Sequence, residues 1–222
     1  MSLNSISPSV AGIHVLADDD PSWKLGPVDQ AIAACDGGAS VVQLRTKYAT
    51  DIQILEWARA IRAITRHAGV IFILNDRFDL ALAAKADGVH LGQTDLPLAR
   101  VPSDARGKLC FGVSTHDLNQ VSAAAKKADY VAFGPIFGTR SKVSPHAAPG
   151  LQALKEAVQL AHPVPLVAIG GIGTANISAI QNTGAAGAAV ISAVAQAPDP
   201  ASAARKLSEL FPKKSVDVQE KK

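Results

Sequence analysis

Eight short apolar segments, separated by stretches of helical character, recur along the whole chain. They occupy residues 12–18, 40–47, 70–76, 88–93, 108–115, 129–136, 165–172 and 187–194. Near-continuous apolar runs of this length are typical of strands that are covered on both faces, as in parallel sheets. Residues 51–67 carry apolar side chains at the spacing of one helical face, from Ile54 to Ile64. The pattern therefore predicts eight βα units.

Eight units in 222 residues favour an α/β fold made of a single (β/α)8 barrel. A doubly wound open sheet is the alternative. That fold favours a Gly-rich turn after the first strand, whereas this chain has an Asp-Asp-Asp-Pro sequence at 18–21. We therefore predict one barrel domain over residues 12–212, preceded by an extension over 1–11. Residues 213–222 are polar and charge-rich, and we expect a disordered tail there.

Composition and charge argue against several classes of partner. The net charge of +3 is small for a chain of this size and gives no support for a nucleic-acid partner, which usually requires a clustered basic face, so none is expected. No apolar run is long enough to span a bilayer, and residues 1–10 lack the features of a secretory signal, so no membrane partner is expected. Cys35 and Cys110 lie far apart without metal-ligand spacing. We expect both to be small core residues in a reduced, cytoplasmic compartment.

Two carboxylates follow strands that are predicted to be neighbours. Asp76 ends the third apolar segment, and Asp95 follows the fourth. Because parallel strands end at one rim, these two side chains could together hold a hard divalent cation such as Mg²⁺ against a polyphosphate. The alternative is that each carboxylate caps the helix that follows it, since Asp is favoured at an N-cap. The residues alone leave both interpretations open.

The second strand ends in a row of polar side chains. Period-two alternation puts Gln43, Arg45 and Lys47 on one face and Leu44 on the other. An inward-facing row of this kind suits a phosphate ligand, because Arg offers a planar fork of donors and Lys a point charge. The alternative is a solvated strand end, where charges are common.

Two further strand ends suggest anion binding. The long loop after the sixth strand carries two hydroxyls and a lysine, Thr139, Ser141 and Lys142, and could be an anion-binding flap or a plain surface loop. Gly170-Gly171 follows the seventh strand, and Ser192 is placed near the end of the eighth. These are the usual positions of a barrel phosphate pocket, although a diglycine can also be only a tight turn. The six histidines show no zinc-binding spacing, and we assign none of them a catalytic role.

Together these strand ends resemble the thiamine-phosphate synthase family, a family of (β/α)8 transferases. Six motifs, in the family's order and covering most of the chain from about residue 12 to residue 210, carry the resemblance. They are Gln43-x-Arg45-x-Lys47, Asn75-Asp76-Arg77, His90-Leu91-Gly92-Gln93-x-Asp95, Gly112-Val113-Ser114-x-His116, Gly134-Pro135-Ile136-Phe137-x-Thr139-x-Ser141-Lys142 and Ala168-Ile169-Gly170-Gly171-Ile172.

The resemblance implies an activity and a role for each position. The family couples hydroxymethylpyrimidine pyrophosphate to the nitrogen of thiazole phosphate and releases pyrophosphate. By resemblance, Asp76 and Asp95 would hold Mg²⁺ as the cofactor. The pyrophosphate would be bound by Arg45, Lys47, Asn75 and Lys142, the pyrimidine by Gln43 and Ser114, and the thiazole with its phosphate by Thr139, Ser141, Gly171 and Ser192. The residues expected to be catalytic are Arg45, Lys142 and Ser114. A homodimer is expected from the family alone.

The chain departs from the family pattern at three positions. Thr46 stands where the family usually has Glu, Gly138 where it has Pro, and Ser141 where it has a second Thr. Two alternative functions remain, a thiazole tautomerase and a catalytically silent phosphate-binding barrel. The tautomerase branch tends to lose the two metal carboxylates, and a silent barrel would lose its cationic cluster. Because both sets of residues are present, the synthase is favoured.

Overall fold

A computed structural model of the protein describes residues 9–138 and 148–213. Within these residues eight parallel strands form one closed barrel, in which each strand pairs with the next and β8 pairs with β1. The predicted (β/α)8 barrel is therefore confirmed, and the open-sheet alternative is wrong. The strands are β1 (Gly12–Asp18), β2 (Val41–Arg45), β3 (Ile71–Asn75), β4 (Gly88–Leu91), β5 (Cys110–Thr115), β6 (Tyr130–Phe133), β7 (Leu166–Ile169) and β8 (Gly187–Val190).

Helices alternate with the strands and begin where the sequence offers caps. Thr50 and Gln53 form a reciprocal capping box at the start of the second helix, and Asp199 accepts a hydrogen bond from Ser202 N (3.0 Å) at the start of the last. No helix in the described ranges is long and apolar enough to cross a membrane. The helices are α1 (Pro27–Asp36), α2 (Asp51–Ala68), α3 (Phe78–Ala84), α4 (Ser103–Arg106), α5 (Leu118–Ala124), α6 (Gly150–Ala161), α7 (Ile177–Gln181), α8 (Ser192–Ala195) and α9 (Pro200–Leu210), with a 3₁₀ turn at Leu98–Arg100.

Strand alternation divides the apolar side chains into two cores. Outward-facing residues such as Leu44 and Phe72 pack against the helices in a large outer core. Inward-facing residues such as Cys110 and Tyr130 form a smaller cluster inside the barrel. Cys110 is buried, and Cys35 is half-buried against the outer core, as expected for small core residues.

The eighth strand is shorter than the sequence suggested. Its pairing with β7 ends at Ala189, opposite Ile169, and the strand itself ends at Val190. The chain then turns, because the N–H groups of residues 194 and 195 bond to Ile191 O at 3.0 and 2.9 Å instead of to a neighbouring strand. Ser192 is therefore the first residue of α8 and not a β8 residue, so its expected place in the strand is wrong.

Gly112 lies on the inner face of β5 against the ring of Tyr130. A Cβ at Gly112 would lie 1.9 Å from Tyr130 Cζ, and that tyrosine is fully buried. We expect Gly112→Ala to lower the free energy of unfolding by about 1–3 kcal/mol, the usual cost of overpacking a core, as measured by urea denaturation. The matched control is Gly107→Ala, whose Cβ would meet nothing closer than 3.6 Å. Equal losses in the two variants would contradict this account.

Candidate active site

The inner faces of the strands line a cavity of about 130 Å³. Four of the predicted site residues line it: Gln43, Arg45, Asn75 and Ser114. They come from β2, β3 and β5, and three of the four are at or next to the last residue of their strand. The cavity therefore lies towards the rim where the strands end, which is the rim at which barrels of this kind carry their sites.

Three charged residues of the predicted site lie at the rim and do not line this cavity. Lys47 follows the end of β2, and its Nζ donates to Asp76 Oδ2 at 2.7 Å. Asp76 N donates in turn to His90 O at 2.9 Å, which ties the end of β3 to β4. Asp76 has φ 66°, in the left-handed region that Asp tolerates better than most residues. Backbone strain of this kind is characteristic of functional sites.

Asp95 completes the rim cluster with Lys47 and Asp76. Its Oδ2 accepts a hydrogen bond from Gly92 N at 2.6 Å. Burial raises the pKa of Asp95 above its usual range; the Gly92 N–H opposes this rise, and contact with the Asp76 carboxyl adds to it. The helix-capping alternative is not what the structure shows, because the N-cap of α3 is Arg77 and Asp95 contacts Gly92 instead. Two carboxylates in contact are stabilised by a cation between them.

Asn75 joins the cavity to the rim cluster. It lines the cavity and directly precedes Asp76. Its buried Oδ1 has no hydrogen-bond partner among the described residues. An unsatisfied buried acceptor costs about 1–3 kcal/mol. This oxygen is therefore placed to accept a hydrogen bond from a bound ligand. Within residues 9–138 and 148–213 no group of three or more His, Cys, Asp or Glu could hold a metal ion, so a cation at this rim would need further oxygen ligands from phosphate or water.

Arg45 is already paired within the protein. Its Nη1 donates to Asp18 Oδ2, and the Asp18 side chain is 2% exposed. A guanidinium has five N–H donors, so this contact leaves others for a ligand. Arg45 is thus held at the cavity wall by Asp18, a buried partner that belongs to none of the six sequence motifs.

The deep part of the cavity carries polar side chains whose contacts no sequence motif indicated. His90 Nδ1 lies 2.9 Å from Tyr130 Oη, and His90 Nε2 lies 2.8 Å from Ser114 Oγ. Gln43 contacts the Tyr130 hydroxyl. His14, which no sequence motif indicated, lies 2.7 Å from Val10 O through Nε2. The sequence signal for both histidines is strand alternation, which turns His14 and His90 inward, and not the spacing of a metal-binding motif.

Two of these deep groups, His14 and Tyr130, are uncharged near neutral pH. Burial lowers the pKa of His14 from 6.5 to about 4, although the Val10 carbonyl partly opposes the effect. Burial also raises the pKa of Tyr130 well above 10. The cavity therefore combines the neutral His14 and Tyr130 in its deep part with Arg45 in its wall and with Lys47, Asp76 and Asp95 at the rim.

The glycines after β7 are required by packing within the protein. Gly170 and Gly171 have φ of 93° and 66°. A Cβ on Gly170 would lie 2.4 Å from Pro135 Cβ, and one on Gly171 would lie 2.5 Å from Gly138 O. Close approach of the loop after β6 is thus by itself sufficient reason for glycine at these two positions. The approach of a phosphate, predicted from the sequence, would be a second reason.

The remaining predicted site residues do not line the cavity or lie outside the described residues. Gly171 and Ser192 do not line the cavity, although their neighbours Gly170 and Ile191 do. Thr139, Ser141 and Lys142 lie outside the described residues.

Comparisons with known proteins show the family to which this chain is similar. The model of a family described as thiamine monophosphate synthase matches residues 12–194, which span all eight strands. A thiamine-phosphate synthase from Chloroflexus aurantiacus is 47% identical over 182 residues, covering 80% of this chain and 82% of that protein. One from Chlorobium phaeovibrioides is 43% identical over 201 residues, covering 90% and 94%. A solved thiamine phosphate pyrophosphorylase from Pyrococcus furiosus matches with a TM-score of 0.81 at 34% identity, covering 92% and 96%. The resemblance drawn from the strand ends is confirmed.

The buried His14 predicts a specific dependence of stability on pH. Its folded-state pKa of about 4 lies below the ordinary value of 6.5, so the unfolded chain binds more protons between these pH values. Its contribution is fully present above pH 6.5 and is lost as the pH falls to about 4, a loss of about 3 kcal/mol. We expect His14→Gln to flatten the plot of unfolding free energy against pH over this interval, as measured by urea denaturation. The same slope in both proteins would refute the assignment.

Proposed function

Because the chain belongs to the thiamine monophosphate synthase family, we propose that it is a thiamine-phosphate synthase. This transferase moves the hydroxymethylpyrimidine group from its pyrophosphate to the nitrogen of thiazole phosphate, giving thiamine phosphate and pyrophosphate. The observation that carries the proposal is the contact of Lys47, Asp76 and Asp95 at the rim of a cavity in which the deeper His14 and Tyr130 are neutral. Such a site matches a substrate with an uncharged ring at one end and a pyrophosphate at the other.

Mg²⁺ fits the donors of this rim. Asp76 and Asp95 would hold it, and their contact with each other is a reason for a cation to bind there. Mg²⁺ in proteins commonly takes one or two carboxylates and completes its shell with substrate phosphates and water. When bound, the ion would stabilise the negative charge that develops on the leaving pyrophosphate.

Cationic side chains would share the pyrophosphate with the metal. The Lys47 ammonium already lies 2.7 Å from Asp76 Oδ2, next to the proposed metal position. Arg45 lines the cavity and keeps donors beyond the one that Asp18 accepts. Asn75 could donate its amide N–H to a phosphate oxygen. Lys142, expected in the same role from the family, lies outside the described residues.

The deeper residues would orient the two rings. Ser114 Oγ is held at 2.8 Å by His90, and Gln43 contacts the Tyr130 hydroxyl, so both pyrimidine-binding candidates are fixed before substrate arrives. Gly171, on the loop after β7, and Ser192, the first residue of α8, are retained as candidates for the thiazole phosphate. Thr139 and Ser141 are candidates for the same substrate from outside the described residues.

The proposed chemistry needs no protein nucleophile. The aminopyrimidine donates electrons as its methylene carbon–oxygen bond to pyrophosphate breaks, and the thiazole nitrogen then forms the new bond to that carbon. Positive charge develops on the pyrimidine, inside the cavity, while negative charge develops on the leaving group, beside Lys47 and Arg45. The protein thus contributes orientation of the two substrates and preorganised charge.

The contact geometry also bears on the two alternative functions. A thiazole tautomerase would have no use for a pair of metal-binding carboxylates, yet Asp76 and Asp95 are in contact and the backbone at Asp76 is strained. A silent phosphate-binding barrel would have no reason to hold Arg45 and Lys47 as this chain does, with a buried Asp18 and with Asp76 respectively.

The homodimer and the cytoplasmic location stay predictions. The first comes from the family alone and the second from cysteine usage. The proposed substrates are small molecules. The arguments about the site depend neither on the homodimer nor on the cytoplasmic location.

The metal assignment predicts the behaviour of two charge-removing variants. We expect Asp76→Asn and Asp95→Asn each to slow thiamine phosphate formation by about 10²–10³-fold, the usual effect of losing one preorganised electrostatic group. The measurement is product formation from the two substrates in Mg²⁺ or in EDTA. EDTA should abolish product in the wild type. Asp104→Asn, an exposed aspartate in the first turn of α4, is the matched control and should keep wild-type turnover.

Three outcomes would contradict these assignments. Wild-type turnover in EDTA would remove the metal from the proposal. Interconversion of thiazole tautomers without thiamine phosphate would place the chain in the isomerase branch. Binding of thiazole phosphate with neither activity would leave a silent barrel.

A further inference from the structure

The acidic sequence at the end of β1 makes none of the substrate contacts proposed above. Asp18 is the last residue of β1 and lies in register with Arg45, the last residue of β2. Asp19 follows at the same rim, and its N donates to Arg45 O at 3.2 Å. These two acids therefore border Arg45 and Lys47, the two cations of the second strand end.

Asp18 forms a salt bridge with Arg45. Its Oδ2 accepts from Arg45, while its Oδ1 accepts from Trp23 Nε1 at 2.7 Å and from Asp20 N at 3.0 Å. A buried carboxylate is stable only when it is paired and hydrogen-bonded in this way. Asp18 thus fixes the guanidinium of Arg45 directly.

The Asp19 carboxylate accepts hydrogen bonds from backbone N–H groups of the loop after β2. Its Oδ1 accepts from Lys47 N at 2.7 Å, and its Oδ2 accepts from Tyr48 N at 2.9 Å and Ala49 N at 2.8 Å. These N–H groups belong to the loop 46–50, between β2 and α2, which is beyond the pairing of β2 with its neighbouring strands. One carboxylate therefore supplies acceptors for three consecutive N–H groups, through charge-assisted hydrogen bonds.

Lys47 depends on this loop for its position. Lysine is a point charge on a flexible stem, and the Lys47 side chain is 47% exposed. Packing therefore contributes little to placing its ammonium beside Asp76. The far end of the loop is held by the capping box of Thr50 and Gln53, so Asp19 supplies the hold at the near end.

We propose that Asp19 is a positioning residue, which places the Lys47 ammonium beside Asp76 for binding the pyrophosphate group. We name its three contacts to residues 47–49 the Asp19 clamp. The inference rests on the proposed function and assigns a role to a residue that does not itself touch substrate.

The clamp predicts that Asp19 acts only through Lys47. Asp19→Ala should lower kcat/KM for the pyrimidine pyrophosphate on the order of 10- to 100-fold, as expected for a small misplacement of a positioned group, while KM for thiazole phosphate stays unchanged. Asp19→Asn keeps one acceptor oxygen and should fall between Asp19→Ala and the wild type. In a Lys47→Ala background, Asp19→Ala should cause no further loss, because coupled residues are not additive. Equal losses in both backgrounds would overturn the proposal.

Binding of inorganic pyrophosphate tests the clamp without turnover. Calorimetry with pyrophosphate and Mg²⁺ should show weaker affinity in Asp19→Ala by a similar factor. Asp199→Ala is the matched control, since Asp199 is an aspartate that accepts a backbone N–H at the start of α9, and it should bind as the wild type does. Circular dichroism verifies folding, and Asp19→Asn carries the test if Asp19→Ala does not fold.

The outcomes separate the clamp from the reaction. Weakened pyrophosphate binding without any turnover in the wild type would support the clamp and remove the proposed reaction. Unchanged binding in a folded Asp19→Ala, or no pyrophosphate binding by the wild type, would overturn the clamp.

Discussion

Closure of the sheet by hydrogen bonds between β8 and β1 is the constraint on which the rest of the structure depends. Because all eight strands are parallel and the ring has no edge, every strand ends at one rim. Residues far apart in the chain, such as Arg45, Asn75 and Ser114, thereby line one cavity. The outward side chains of the same strands are buried against the helices. The barrel can therefore keep polar groups inside without losing its main hydrophobic core.

Charge is distributed unevenly within this cavity and its rim. Burial keeps His14 and Tyr130 neutral in the deep region, while Lys47, Asp76 and Asp95 meet at the mouth. In the proposed reaction the bond that breaks would lie between these two regions. The metal and the cations would then act on the leaving group, and the neutral interior would hold the ring from which it leaves.

Strand ends were the most informative part of the sequence, and they predicted the site unevenly. The adjacency of Asp76 and Asp95 followed from the order of parallel strands and agrees with their contact in the structure. Ser192 was wrongly placed in β8, because an apolar run continues into α8 after pairing with β7 has ended. The role of His90 could not be predicted, because a single inward histidine has no spacing motif and its partners in β5 and β6 are brought to it only by the closed barrel.

The sequence by itself determined the eightfold βα repeat, the barrel and the order of functional groups around its rim. These follow from local periodicity and from the rule that parallel strands share one end. Only the tertiary structure decided that Asp18 and Asp19 support Arg45 and Lys47, across 27 to 30 residues of chain. The same holds for the unpartnered oxygen of Asn75 and the neutral state of His14. Burial and hydrogen-bond partners come from packing between distant segments, and neither is encoded in the local pattern of one segment.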